Sequence, residues 1–266
     1  MTRNTLLLAS MTFRRHWVRT LTGVLLLEGI ISLIYLFFLF KLNPRVPAQA
    51  DMAALPLSSM AWQFAFMMAL YFGAMETATE RKERTLTMLL VRPLSAGEIL
   101  GGQLLGCAAL AVMALPFPWL IGHVARLLLG GGWSGRQDAL YLGYLFGAGA
   151  FAACAMAFGM LVRPLFAIVG LLFLQASTMP NVFSTLRQSS IGQPWLGTLQ
   201  GLAYGVYYLL PSGGVFSDRL SAAPAGGAVW GRLGVAIAYG AATMVFYWAA
   251  ATVLFGWKRR WLSGDD

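Results

Sequence analysis

Six long apolar runs divide this chain, and no water-soluble fold can hide them all. They cover residues 20–42, 57–75, 99–122, 139–162, 165–180 and 233–257. A membrane-spanning helix needs about 20 apolar residues, so six spans with short connections account for most of the 266 residues. Charge is correspondingly scarce. Only 11% of residues are charged, against about 25% in a soluble domain, too few to clothe a water-facing surface. Lipid offers no partner to a free backbone N–H or C=O, so a span is a helix or a strand of a closed barrel. Leu, Ala, Gly and Phe dominate the runs, without the period-two alternation that a barrel strand requires. The expected architecture is all-α: one transmembrane domain over 1–266 with six spans. The fifth run is short and extends, if at all, through 181–186.

Lysine and arginine set the expected orientation. With both termini inside, the inner segments carry Arg3, Arg14, Arg15, Arg19, Arg81, Lys82, Arg84, Arg92, Arg163, Lys258, Arg259 and Arg260. The outer segments carry only Lys41, Arg45, Arg126, Arg136, Arg187, Arg219 and Arg232. The positive-inside rule then places both termini in the cytoplasm of a multi-pass plasma (inner) membrane protein. The net charge of +9 is read the same way, as basic loop ends rather than a nucleic-acid surface. The N-terminus does not read as a cleaved signal. Arg14, Arg15 and Arg19 follow the short apolar stretch Leu6 to Leu8, and no small-residue cleavage site follows the long run.

Two further segments read as helices outside the spans. Residues 1–19 place Leu6, Phe13 and Trp17 on one face, with Arg15 and Arg19 turned the other way, as in an amphipathic helix on the membrane surface; the same stretch reads equally as the frayed start of the first span. Residues 181–232 are too long for a structureless loop. They contain an apolar, tyrosine-rich stretch with Tyr204, Tyr207 and Tyr208 between Pro194 and Pro211. Tyrosine favours the membrane interface, so an outer-face re-entrant or interfacial helical element is expected there; the alternative, a seventh full span, would put the cluster Lys258, Arg259 and Arg260 outside.

Polarity concentrates between the second and third runs, in 76–98 (ETATERKERTLTMLLVRPLSAGE). Glu80 and Arg84 have the i, i+4 spacing and order that favours a helix. Thr85 can cap a new helix. Leu86, Leu89, Leu90 and Pro93 then give an apolar face of about two turns, which Pro93 ends. Ser95 and Glu98 form S-x-x-E directly before the third run, the pattern of a capping box. A short amphipathic helix between two spans suits a lipid surface or a partner's groove equally well.

This stretch resembles the first cytoplasmic loop of ABC-2 type transporter permeases. The resemblance rests on Glu80, Arg81, Lys82, Glu83, Arg84, Thr85 and Leu86, followed by Leu89, Leu90, Pro93, Leu94, Ser95 and Glu98, with Arg84 standing where many members carry glycine. The six-run layout and the chain length fit the same family. The resemblance implies that 85–92 is a coupling helix gripped by a separate ATP-binding subunit, with Glu80, Arg81, Glu83, Arg84, Thr85, Leu86, Leu89, Leu90 and Pro93 at or near the contact. It further implies an N-terminal elbow helix, outer-face re-entrant helices between spans five and six, and a second permease chain, most simply another copy. By the same resemblance transport is outward, and ATP and Mg²⁺ sit on the partner ATPase while this chain binds no cofactor.

The sequence itself contains no G-x-x-x-x-G-K-[ST], no H-E-x-x-H and no G-x-S-x-G, so neither a phosphate-cradling loop nor a hydrolase motif is present. Cys107, Cys154, His16 and His123 lack metal-ligand spacing. This is not expected to be an enzyme. Two other readings stay open: a self-contained secondary transporter or channel, and a membrane anchor that recruits a soluble partner through 76–98. Glu28 bears on the first. It is a carboxylate within the first run, either a polar contact in a transport path or subunit interface, or a shallow, protonated or Ser/Thr-bonded group. Gly97–Gly101, Gly102–Gly106 and Gly143–Gly147 have the spacing that lets helices touch, though 30 glycines produce several such pairs by chance.

Overall fold

A computed structural model describes residues 3–17, 22–42, 50–82, 94–175, 195, 197–198, 201, 210–216, 220 and 227–263. Among the described residues every regular element is a helix. In chain order these are α1 (Arg3–His16), α2 (Thr22–Leu42), α3 (Ala50–Lys82), α4 (Ala96–Val112), α5 (Pro116–Leu128), α6 (Gly135–Leu161), α7 (Pro164–Gln175), α8 (Gly213–Phe216) and α9 (Gly227–Ser263). Among the described residues four stretches are long and apolar enough to cross a membrane: Ala54–Glu76, Ala96–Leu128, Gly135–Leu161 and Ala228–Trp257. The helix Thr22–Phe38 is apolar but shorter. The chain is thus a helical, multi-pass membrane protein.

The helix α6 stands at the centre. Its 27 residues reach about 40 Å at 1.5 Å per residue. From Gly147 to Ala157 it is buried on every side. Small residues make that burial feasible, because glycine and alanine let neighbouring backbones close in. The approach is two-sided. A Cβ at Gly73 of α3 would lie 2.5 Å from the Ala152 carbonyl oxygen, and one at Gly149 would lie 2.5 Å from Met244 Sδ of α9. Lower on α6, a Cβ at Gly159 would lie 2.8 Å from the Ala74 oxygen. Large rings fill the space where the backbones part. Trp62 packs on Tyr144, Phe151 and Phe216 with centroids 5.1, 5.8 and 6.0 Å away.

Around this mast α9 presents Val229, Leu233, Ala236, Tyr247, Ala251 and Phe255 inward, a heptad-like stripe. Trp230, Val235, Val245, Phe246 and Val253 face out. Inner and outer faces are both apolar here.

The third apolar run is not one helix. Pro116 has no N–H and clashes with the preceding turn, so the run divides into α4 and α5 around a turn at 113–115. The last run is longer than its apolar core. α9 begins at Gly227, so Arg232 lies within a helix rather than in a connecting loop. Likewise α3 begins at Ala50 and continues through Glu80 and Arg81 to Lys82. Of the 181–232 segment, Tyr204, Tyr207 and Tyr208 lie outside the described residues. Of the described parts, Trp195 is exposed, whereas the stretch around 210–220 turns into the bundle. Phe216 of α8 and Leu220 are fully buried. The Tyr239 hydroxyl donates to the Leu210 carbonyl at 3.2 Å and accepts the Ser212 N–H at 2.9 Å.

Candidate functional site

The leucine face assigned to the loop, with Glu83, Arg84, Thr85, Leu86, Leu89, Leu90 and Pro93, lies outside the described residues. Glu80 and Arg81 are placed only as backbone in the last turns of α3. The two flanks of the loop are described. On the far flank Ser95 caps α4. The Glu98 N–H donates to Ser95 Oγ at 3.2 Å, and the Ser95 N–H donates to Glu98 Oε2 at 3.0 Å, closing a capping box.

The near flank holds what sequence reasoning missed. Glu76 of α3 is 1% exposed, six residues before that helix ends, and α1 supplies all of its recorded partners. Thr12 Oγ1 donates to Oε1 at 3.3 Å, His16 Nε2 lies 2.7 Å from Oε2, and Arg15 lies 3.6 Å from Oε1. A carboxylate only accepts, so Nε2 of His16 carries the hydrogen in this contact. Burying a lone carboxylate costs several kcal/mol, about 3–5 when a partner is removed; here two donors and a guanidinium offset it. His16 also lies against Phe72, with centroids 5.1 Å apart.

The same face of α1 seats on α4. A Cβ at Gly102 would stand 2.5 Å from Leu8 Cβ, and one at Gly106 would stand 2.6 Å from Thr12 Cβ and 2.9 Å from the Ala9 oxygen. Thus α1 departs from the expected surface helix. Leu6 and Trp17 are exposed as an interfacial helix requires. Arg15, however, turns into the bundle, because Glu76 needs a cation more than Arg15 needs water. Between α1, α4 and α9 a cleft of about 480 Å³ opens beside the capping box, lined by Thr5, Ser95, Glu98, Leu104 and Trp248 among others.

At the opposite end Asp138, in the first turn of α6, gathers three ring donors. Trp119 Nε1 and Trp133 Nε1 donate to it at 2.9 and 2.7 Å, and His123 Nε2 lies 3.0 Å away. His123 stacks on Trp133 with centroids 3.8 Å apart and is only 2% exposed. It is a buried clamp between α5 and α6.

Glu28 is not bonded to a hydroxyl among the described residues. It is 0% exposed, and both carboxyl oxygens lack a hydrogen-bond partner among the described residues. Its burial follows from α2 lying alongside α5. Gly29 faces the Phe117 ring, and Tyr35 and Leu36 pack on Ala125 and Leu129. Glu28 therefore sits level with the start of α5, far from the end where α1 meets α4. Among the described residues no three His, Cys, Asp or Glu side chains could hold a metal, and Cys107 and Cys154 are buried and form no disulfide.

No family model matches the sequence, and no curated protein matches it either.

Proposed function

We propose that the chain is the membrane-spanning permease subunit of an ABC-2 type ATP-driven exporter, worked by a separate ATP-binding subunit. In this reading six spans cross the plasma membrane with both termini in the cytoplasm, and two permease chains form the translocation unit. The observation that carries it is the construction around 83–93. The loop leaves α3 just after Glu76 ties that helix to α1, and it enters α4 through the Ser95–Glu98 box. A push on such a loop reaches three packed helices at once, as rigid-body switching between inward- and outward-facing states requires. A floppy tether would dissipate it.

The test is the leucine face. Each buried leucine contributes roughly 1.5–3 kcal/mol at an interface, whereas an exposed rim charge contributes about 0–1 kcal/mol. Leu89→Asp with Leu90→Asp should abolish co-purification of an ATPase subunit while the chain still inserts; Lys82→Ala should change little. Retention of the ATPase by the leucine double variant would place that face in lipid and remove the main support for the reading. Purified alone, the chain should show no ATPase activity above a mock preparation.

The buried Glu28 favours one competing reading, an ion-coupled secondary transporter. Vesicle transport that persists without any ATPase subunit would select it.

A further inference from the structure

One narrow cleft gathers two arginines at the end of the bundle opposite the corner where α1 meets α4. Arg126 of α5 and Arg136 of α6 line it with Ser58, Ser134, Gln137 and Leu55, and none of its lining residues is acidic. Asp138, next along α6, is occupied elsewhere: Trp119 and His123 hold its Oδ1 and Trp133 its Oδ2. Arg126 is fixed in direction, because its Nε donates to the Gly132 carbonyl at 3.1 Å. Arg136 Nε is buried and has no acceptor among the described residues. Gln137 Oε1 is likewise buried and has no donor among them. Its amide orientation is set by the other atom, since Nε2 donates to the Trp119 carbonyl at 3.3 Å. Native interiors leave few such atoms unsatisfied.

We propose that this cleft binds the phosphate of an anionic phospholipid. A guanidinium presents a planar fork of N–H donors that matches two oxygens of a phosphate. The cleft has about 30 Å³ of free volume, room for about two oxygen-sized atoms at ~10–15 Å³ each. It admits the tip of an oxyanion and no ring or chain. Gln137 Oε1 only accepts, so the ligand presents a donor beside its phosphate, as the hydroxyl of a glycerol headgroup does. Depth points to the bilayer as the source. Three apolar stretches reach their ends around the cleft: Ala54–Glu76 begins at its Ala54 wall, Ala96–Leu128 ends just past Arg126, and Gly135–Leu161 begins just before Arg136. Lipid phosphates lie at that boundary, outside a hydrocarbon core about 30 Å thick. Leu55 on the cleft wall and Leu127 and Leu128 beside Arg126 are exposed, an apolar bed for the acyl chains. Trp133 is exposed on the same loop, as tryptophan is at a membrane interface. The binding needs only this chain and does not depend on the permease reading.

The experiment uses the full chain in a non-ionic detergent, with binding followed by thermophoresis. The probe is dioctanoyl-phosphatidylglycerol, and dioctanoylglycerol, which has the same chains and no phosphate, is the control. Saturable binding of the phospholipid is expected, at least tenfold tighter than that of the control. Arg136→Gln should weaken it at least fivefold, and Arg136→Lys, which keeps the charge and loses the fork, should weaken it less. Arg126→Gln, on a different helix, should also weaken it at least fivefold and tests the same site if Arg136→Gln does not fold. Arg163→Gln removes an exposed arginine at the other end of α6 and should change nothing. Equal binding by the wild type and the glutamine variants, equal binding of dioctanoylglycerol, or an equal loss from Arg163→Gln would each overturn the site. Inorganic phosphate in tenfold excess over the lipid should leave the phospholipid bound; displacement would assign the cleft to soluble phosphate and overturn its lipid occupant. Co-purification of the ATPase is unaffected by any of these results, so failure of the site and failure of the permease reading are told apart.

Discussion

At Gly102 and Gly106 the missing side chains are what let α1 lie against α4. Gly106→Val should force α1 off its seat, because backbone and Cβ atoms, not a flexible side-chain end, occupy the space. Overpacking of this kind costs about 1–3 kcal/mol, read as a lower melting temperature in detergent. Gly170→Ala, where nothing lies within 4 Å, should leave melting unchanged or raise it. The Glu76 clasp has its own ranking. His16 makes the short contact and Arg15 the long one, with Arg15 28% exposed. His16→Ala should therefore cost about 1–3 kcal/mol, as losing a hydrogen bond to a buried charge does, and Arg15→Ala about 0–1 kcal/mol. A larger loss from Arg15→Ala would mean that the guanidinium, not the imidazole, secures the carboxylate.

Among elements, the junction of α5 and α6 depends on one carboxylate. Asp138→Ala leaves the Trp119, Trp133 and His123 donors without their acceptor, and the expected loss is about 1–3 kcal/mol, measured by thermal melting. Asp138→Asn, which keeps one acceptor oxygen, should lose less. This junction was hidden in the sequence, since Trp119, His123, Trp133 and Asp138 are polar handles scattered across a run and a loop. The α4 cap was legible, because Ser95 and Glu98 carry a local pattern whose hydrogen bonds close within one turn. Apolar runs were legible as helices for the same local reason. Which face of each helix turns inward was not, because inner and outer faces are both apolar. Glycine spacing was the one signal of contact. All three pairs meet neighbours: Gly97 and Gly101 the Trp248 ring, Gly102 and Gly106 the α1 backbone, Gly143 and Gly147 the Leu220, Trp62 and Phe216 side chains. Glu76 escaped because it reads as the start of a polar loop, whereas its partners lie about 60 residues earlier.

At the scale of the whole molecule, the buried native cysteines offer a clean background for topology. Cys107 and Cys154 are fully buried, so a cysteine added after Asp266 should be the main reactive thiol. In intact cells it should resist membrane-impermeant reagents and label only after permeabilisation; rapid labelling from outside would reverse the assigned orientation of the C-terminus. The central position of α6 carries a consequence for biosynthesis. As the chain emerges, α1 can clasp α4 and Glu76 early, since all of those residues precede Val112. α2 can likewise seat on α5, whose partners end at Leu129. Gly73, Ala74 and Trp62 of α3, however, have no surface of α6 to meet until α6 has emerged, and α9 follows later still. A nascent chain halted between Leu128 and Gly135 therefore holds a finished corner and an open wall.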